Sequence, residues 1–188
     1  MAATRRQLRT VEGLSELLRN LSPEESCAYR GIAFDTYHRG FNAILPILLG
    51  PILGAIGVNV QAKPGDYIRV WLPAPLGVDF SLRSLTEIRS EKDGLDAYFS
   101  IDATDVDLAR RCLAGSITAA LLQLAEAYHL VQMYCTADGN QYIEFGPLDR
   151  RPEETAADLS TLVEALALRT SCEVVDATLV SPGNAVEE

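Results

Sequence analysis

The sequence predicts an α+β fold: a mainly antiparallel sheet with amphipathic helices packed on one face. Three observations lead there. From Tyr67 onward the segments read strand, strand, strand, helix, strand, strand, helix. Such runs favour hairpin-linked antiparallel strands over alternating βαβ units. Asp93-Gly94 and Asp138-Gly139-Asn140 supply turn signals between β-prone runs. The helical segments carry one-sided apolar stripes, and each stripe needs a surface to pack against.

Taken in order, residues 4–21 repeat Leu8, Val11, Leu14, Leu17, Leu18 and Leu21 at three- and four-residue spacing, which predicts a first helix. Ser22-Pro23-Glu24-Glu25 has the residues of a helix start, with a cap, a first-turn proline and a capping-box glutamate. That helix must be short, because Tyr29 to Tyr37 is rich in β-prone residues and reads as extended.

Gly40 to Ala62 then runs for 23 residues without a charge, bracketed by Arg39 and Lys63. As one helix it would extend about 35 Å, enough for a hydrocarbon core of ~30 Å. Pro46, Pro51 and the internal glycines oppose a straight helix. Three readings compete: a transmembrane or re-entrant element, a buried hairpin or broken helix in a soluble core, and a partner-binding insertion. The expectation is contact with a membrane or an apolar partner through Ile44, Leu45, Ile47, Leu48, Leu49, Ile52, Leu53 and Ile56.

Lys63-Pro-Gly-Asp66 reads as a turn. Strands follow at Tyr67–Leu72, within Val78–Ile88, and at Tyr98–Ile101. Thr104-Asp105-Val106-Asp107 opens the clearest helix, over 105–128. Its stripe is Val106, Ala109, Leu113, Ile117, Leu121, Leu124 and Tyr128, and the acids at its start suit the helix dipole. Leu130–Thr136 and Gln141–Phe145 form a hairpin. Pro152-Glu-Glu154 opens a last helix with Leu159, Leu162, Val163 and Leu166 on one face; Glu173–Val180 reads as a closing strand. The domain expectation is therefore an N-terminal helical arm over 1–39, the apolar segment over 40–62, an α+β domain over 63–180 and a tail over 181–188.

The chain has 188 residues and a formal net charge of -10. Residues 64–188 carry the imbalance, with 21 acids against nine Lys and Arg. Such a body lacks the clustered cations that hold a nucleic-acid backbone, so no nucleic-acid partner is expected. Cys27, Cys112, Cys135 and Cys172 stand far apart, without the C-x-x-C or Cys/His spacing of a zinc module. Buried free thiols are expected at Cys112 and Cys135, which leans towards a reducing compartment. No secretory pattern opens the sequence, because Glu12 and Glu16 interrupt any apolar run after Arg5, Arg6 and Arg9. The expected location is the cytoplasm or the cytoplasmic side of a membrane.

Candidate chemistry is sparse. Asp35-Thr-Tyr-His38 offers a carboxylate and an imidazole, a combination suited to a base and its orienter or to two metal ligands. On a strand, residues three apart face opposite sides, so this pair needs a turn or helix to converge. Trp71, beside Pro73 and Pro75, could line a pocket with them or belong to the core. Asp102, Asp105 and Asp107 lack the glycine and glutamate of a calcium loop in this register, and capping explains Asp105 and Asp107. Two histidines cannot build a His-rich metal site. Arg150-Arg151 before Pro152 read as solvated charges or as an anion site at a helix start. No metal, cofactor or catalytic residue is expected. The functional expectation is a non-enzymatic accessory or assembly protein, acting through a protein partner or as a homo-oligomer. Its alternative is a small-ligand binder or enzyme with a pocket near Asp35, His38 and Trp71.

Overall fold

The fold is α+β, with a mostly antiparallel sheet. A computed structural model describes residues 6–20, 25–40, 63–136 and 139–179, with side chains described as far as residue 168. Eight strands join in one sheet: β1 (Arg6–Leu8), β2 (Ser26–Tyr29), β3 (Ile32–Arg39), β4 (Gly65–Trp71), β5 (Phe80–Ser84), β6 (Phe99–Ala103), β7 (Leu130–Cys135) and β8 (Gln141–Gly146). Their order across the sheet is β1-β2-β3-β4-β8-β7-β5-β6. Among the described strands only β1 against β2 is parallel; every other pairing is antiparallel. Among the described residues five helices accompany it: α1 (Val11–Arg19), α2 (Leu95–Tyr98), α3 (Val106–Leu113), α4 (Ser116–Ala127) and α5 (Pro152–Leu179).

Strand alternation gives the sheet two unlike faces. The register places Phe34, Val70, Ile143, Met133, Leu82 and Ile101 in one row across six strands. This inner row is apolar and, but for the half-buried Ile101, buried. The helices pack onto it. Leu14 and Leu17 of α1, Leu121 and Leu124 of α4, and Leu159, Leu162, Val163 and Leu166 of α5 share one core with these strand residues. Burying a side chain of this size contributes roughly 1.5–3 kcal/mol, so the stripes are what hold helices to sheet.

Polar ties set the position of α5. Tyr29 and Ser160 hydroxyls meet at 3.2 Å, Arg30 pairs with Glu164 at 2.6 Å, and Arg19 pairs with Glu153. Asp158, almost fully buried, accepts from Gln123 at 2.8 Å, Tyr128 at 3.0 Å and Arg150 at 2.7 Å. This satisfies a carboxylate that burial would otherwise penalise. Arg150 is thus engaged within the chain, and Arg151 pairs with Glu154.

Several local expectations change. The first helix begins at Val11, not residue 4, because Thr10 caps it: its Oγ1 accepts from Gly13 N at 3.1 Å. The residues before it form β1. Residues 6–39 therefore supply three strands of the sheet as well as α1. The single helix expected over 105–128 is two helices. Ala114 takes an extended ψ of 157° and Gly115 a φ of +79°, a conformation that suits glycine. The apolar stripe survives the break: Ala109, Leu113, Ile117, Leu121, Leu124 and Tyr128 are all buried. Cys112 is only half-buried, because Ala109 and Leu113 take the core-facing positions. Cys27 and Cys135 are buried thiols. The strand expected over 173–180 is helix as far as Leu179. A helix satisfies its backbone locally, whereas a strand needs a free edge to pair with.

Residues 41–62, and with them Ile44, Leu45, Ile47, Leu48, Leu49, Ile52, Leu53 and Ile56, lie outside the described residues. Among the described residues no helix is long and apolar enough to cross a membrane.

Candidate functional site

The other face of the sheet is built from the alternate residues of the same strands. Its central row is Asp35, Arg69, Glu144, Gln132, Arg83 and Ser100, one from each of β3, β4, β8, β7, β5 and β6. A second row is Trp71, Tyr142, Tyr134, Ser81 and Asp102. Tyr37 and Tyr67 pair beside Asp35 and Arg69. None of these side chains belongs to the core that the helices cover, not even Tyr67, which is fully buried.

Glu144 is the anchor of this face. It is 1% exposed, and two guanidinium groups neutralise it: Arg39 Nη2 lies 3.0 Å from Oε1 and Arg69 Nη2 lies 3.5 Å from Oε2. A buried carboxylate is tolerated only with such partners. Arg69 also reaches Asp35, Nη1 to Oδ2 at 4.0 Å. Asp35 in turn accepts from the Trp71 indole, Nε1 to Oδ1 at 2.6 Å.

Aromatic rings pack around these charges. The Arg69 guanidinium sits 4.8 Å from the Tyr142 ring centre, 4.9 Å from Tyr37 and 5.7 Å from Trp71. Arg39 lies 4.8 Å from the Tyr67 ring. Such contacts suit the planar guanidinium, which combines ring stacking with carboxylate pairing. Trp71 meets Tyr142 edge-on at 5.6 Å, and Tyr142 stacks on Tyr134 at 5.9 Å. Tyr134 is 45% exposed and forms the open end of this aromatic strip.

The protonation of the site follows from its surroundings. Burial pushes the Tyr37 phenol well above its ordinary value, and its hydrogen bond to Glu144 adds to the shift. Burial also raises Tyr67 and Tyr142. These phenols stay protonated at neutral pH, and the Tyr67 hydroxyl donates to Lys63 O at 2.7 Å. For Arg69, burial opposes the charge, but the carboxylates of Asp35 and Glu144 outweigh it and raise its pKa. Arg83 is the opposite case: burial lowers its pKa, and repulsion from Arg39 lowers it further, with Glu144 only partly offsetting both.

The residues singled out from sequence divide between the two faces. Asp35 and Trp71 meet directly. His38 stands on the opposite face of β3 from Asp35, as its spacing on a strand requires. There it is exposed and pairs with Asp66, Nδ1 to Oδ1 at 2.8 Å. Asp105 caps α3 through Leu108 N at 2.9 Å. Among the described residues no group of three or more His, Cys, Asp and Glu is placed to hold a metal ion. Arg39, Arg69, Arg83, Tyr142 and Glu144 were not singled out from sequence. The available signal was one charged or ring-bearing residue at alternate positions of otherwise apolar strands.

Compared with known proteins, the chain matches no family model, no curated protein and no solved structure.

Proposed function

We propose that this is a non-enzymatic binding protein that holds a protein partner on the outer face of its sheet. The observation that carries the reading is the strip Arg69, Trp71, Tyr142 and Tyr134, standing on a face that lies outside the helix-covered core. Arg, Trp and Tyr are the residue types that concentrate binding energy at protein contacts. Two features favour binding over catalysis. The carboxylates of Asp35 and Glu144 are engaged by indole and guanidinium donors, and the neighbouring phenols are held protonated. A pocket around Asp35, His38 and Trp71 would need all three on one face, and His38 stands on the other.

The test is site-specific photocrosslinking in the organism of origin. A benzophenone side chain replaces Tyr134, and in separate chains Leu168 of α5, which is 60% exposed. Discrete protein adducts are expected from position 134, and Arg69→Gln in the same chain should weaken them. Adducts only from position 168, or none from 134, would refute the reading.

A further inference from the structure

We infer that Arg83 is the receptor for a carboxylate carried by the partner, bound on the outer face beside Gln132. The inference rests on the reading of that face as a contact surface and names the chemistry it recognises.

The three arginines of this face differ in how they are satisfied. Arg39 has Glu144, and Arg69 has both Glu144 and Asp35. Arg83 sits between Gln132 of β7 and Ser100 of β6, both uncharged. Among the described residues its guanidinium makes no ion pair and no side-chain hydrogen bond; its Nε is buried without a partner, as Arg69 Nε also is, but Arg69 has carboxylates on its Nη atoms and Arg83 has none. It is half-buried and feels the like charge of Arg39. A guanidinium stays charged in proteins and presents five donors in a planar fork. Holding that fork partly desolvated and unpaired is costly for the free chain. An arriving oxyanion would remove the cost, in the two-pronged geometry that guanidinium and carboxylate share.

Local charge selects the kind of anion. Arg39, Arg69 and Arg83 face Asp35, Glu144 and Asp102, so the formal charges of this face balance. A singly charged carboxylate adds the least excess charge to that balance. A phosphate dianion would add about twice as much, with Glu144 already at its centre. The rings of Tyr134 and Tyr142 offer apolar surface for the group that carries the carboxylate.

The experiment is an NMR titration of the full chain labelled with 15N-arginine, following the arginine Nε–H signals at constant ionic strength. The probes are sodium benzoate, its neutral counterpart benzamide, and inorganic phosphate. Arg83→Gln identifies the Arg83 signal and provides the control chain. Benzoate should shift that signal saturably, and benzamide should not. The benzoate response should vanish in R83Q, and R83Q without ligand should unfold at a denaturant concentration equal to or higher than the parent. No benzoate shift, a response to phosphate alone, or a benzoate response surviving in R83Q would each overturn the assignment. So would an R83Q chain that unfolds more easily without ligand, because Arg83 would then be structural. Benzoate binding at Arg83 in a chain that gives no adduct from position 134 would overturn the partner as the source of the carboxylate, while leaving the anion site standing.

Discussion

Glu144→Gln tests whether the outer face is organised around one buried charge. The substitution keeps the shape and one acceptor oxygen but removes the negative charge beneath Arg39 and Arg69. The contact at 3.0 Å is a well-formed charged hydrogen bond, and the one at 3.5 Å lies beyond the usual range and acts mainly as an ion pair. Hydrogen bonds to charged groups are worth about 1.5–3 kcal/mol each. Removing one partner of a buried pair costs about 3–5 kcal/mol. Here both arginines keep roughly a third of their side-chain surface in water, and glutamine still accepts one bond. A loss of about 2 kcal/mol is therefore expected, or a fall in Tm of about 4–8 °C for a chain of this size. Urea denaturation followed by tryptophan fluorescence measures it, since Trp71 lies in the same cluster. The loss should persist in high salt, which screens buried pairs weakly. A double-mutant cycle with Arg39→Gln should give a coupling of about 1 kcal/mol. A loss below about 0.5 kcal/mol, the scale of an ordinary surface change, would refute the reasoning. So would a loss that salt abolishes.

Gly146→Ala should destabilise by about 2 kcal/mol or more. Gly146 has a φ of +155°, and an added Cβ would stand 2.6 Å from Tyr67 Cδ1 and 3.0 Å from Asp66 O. Urea denaturation checks this, and Tyr67→Leu in the same chain should recover part of the loss by withdrawing the ring. Alkaline titration gives the third expectation. The folded chain holds Tyr37, Tyr67 and Tyr142 above the ordinary phenol value. Their contribution is fully present below about pH 10, the unfolded value, and is lost as pH rises from there through the folded values. Phenolate absorbance should therefore rise together with loss of the fold, whereas an early, reversible rise covering all seven tyrosines in a native chain would contradict it.

The helices and most of the sheet were legible because their signals are local. The stripe from Ala109 to Tyr128 holds across the break at Gly115, since each residue needs only its neighbours three and four positions away. Leu159, Leu162, Val163 and Leu166 are buried for the same reason. The N-terminal strands were harder. Ile32, Phe34 and Thr36 alternate with Ala33, Asp35 and Tyr37 on β3, but the pairing that uses this alternation joins β3 to β4 across the apolar run. Nothing in residues 6–8 alone specifies parallel pairing with β2; that register depends on the cap at Thr10 and on α1 turning the chain back.

The site was less legible because its members are near only in the folded sheet. Arg39 and Glu144 stand 105 positions apart in sequence and 3.0 Å apart in space. Asp35 and Trp71 were visible as chemistry-bearing types, yet the pairing with His38 rested on sequence proximity, and a strand sends neighbours three apart to opposite faces. A mid-strand charge is the better guide. An arginine or glutamate amid apolar alternation must either face solvent or find a counter-charge on the adjacent strand. Arg69 and Glu144 meet that requirement through cross-strand pairing, so their charges are spent within the fold. Arg83 has Gln132 and Ser100 where its counter-charge would be. A buried ion pair is weak evidence for stability, because apolar residues of similar volume often serve as well. An unpaired guanidinium is weaker evidence still. On the proposed reading the paired arginines hold the aromatic strip in place, and the unpaired one is left for what arrives from outside.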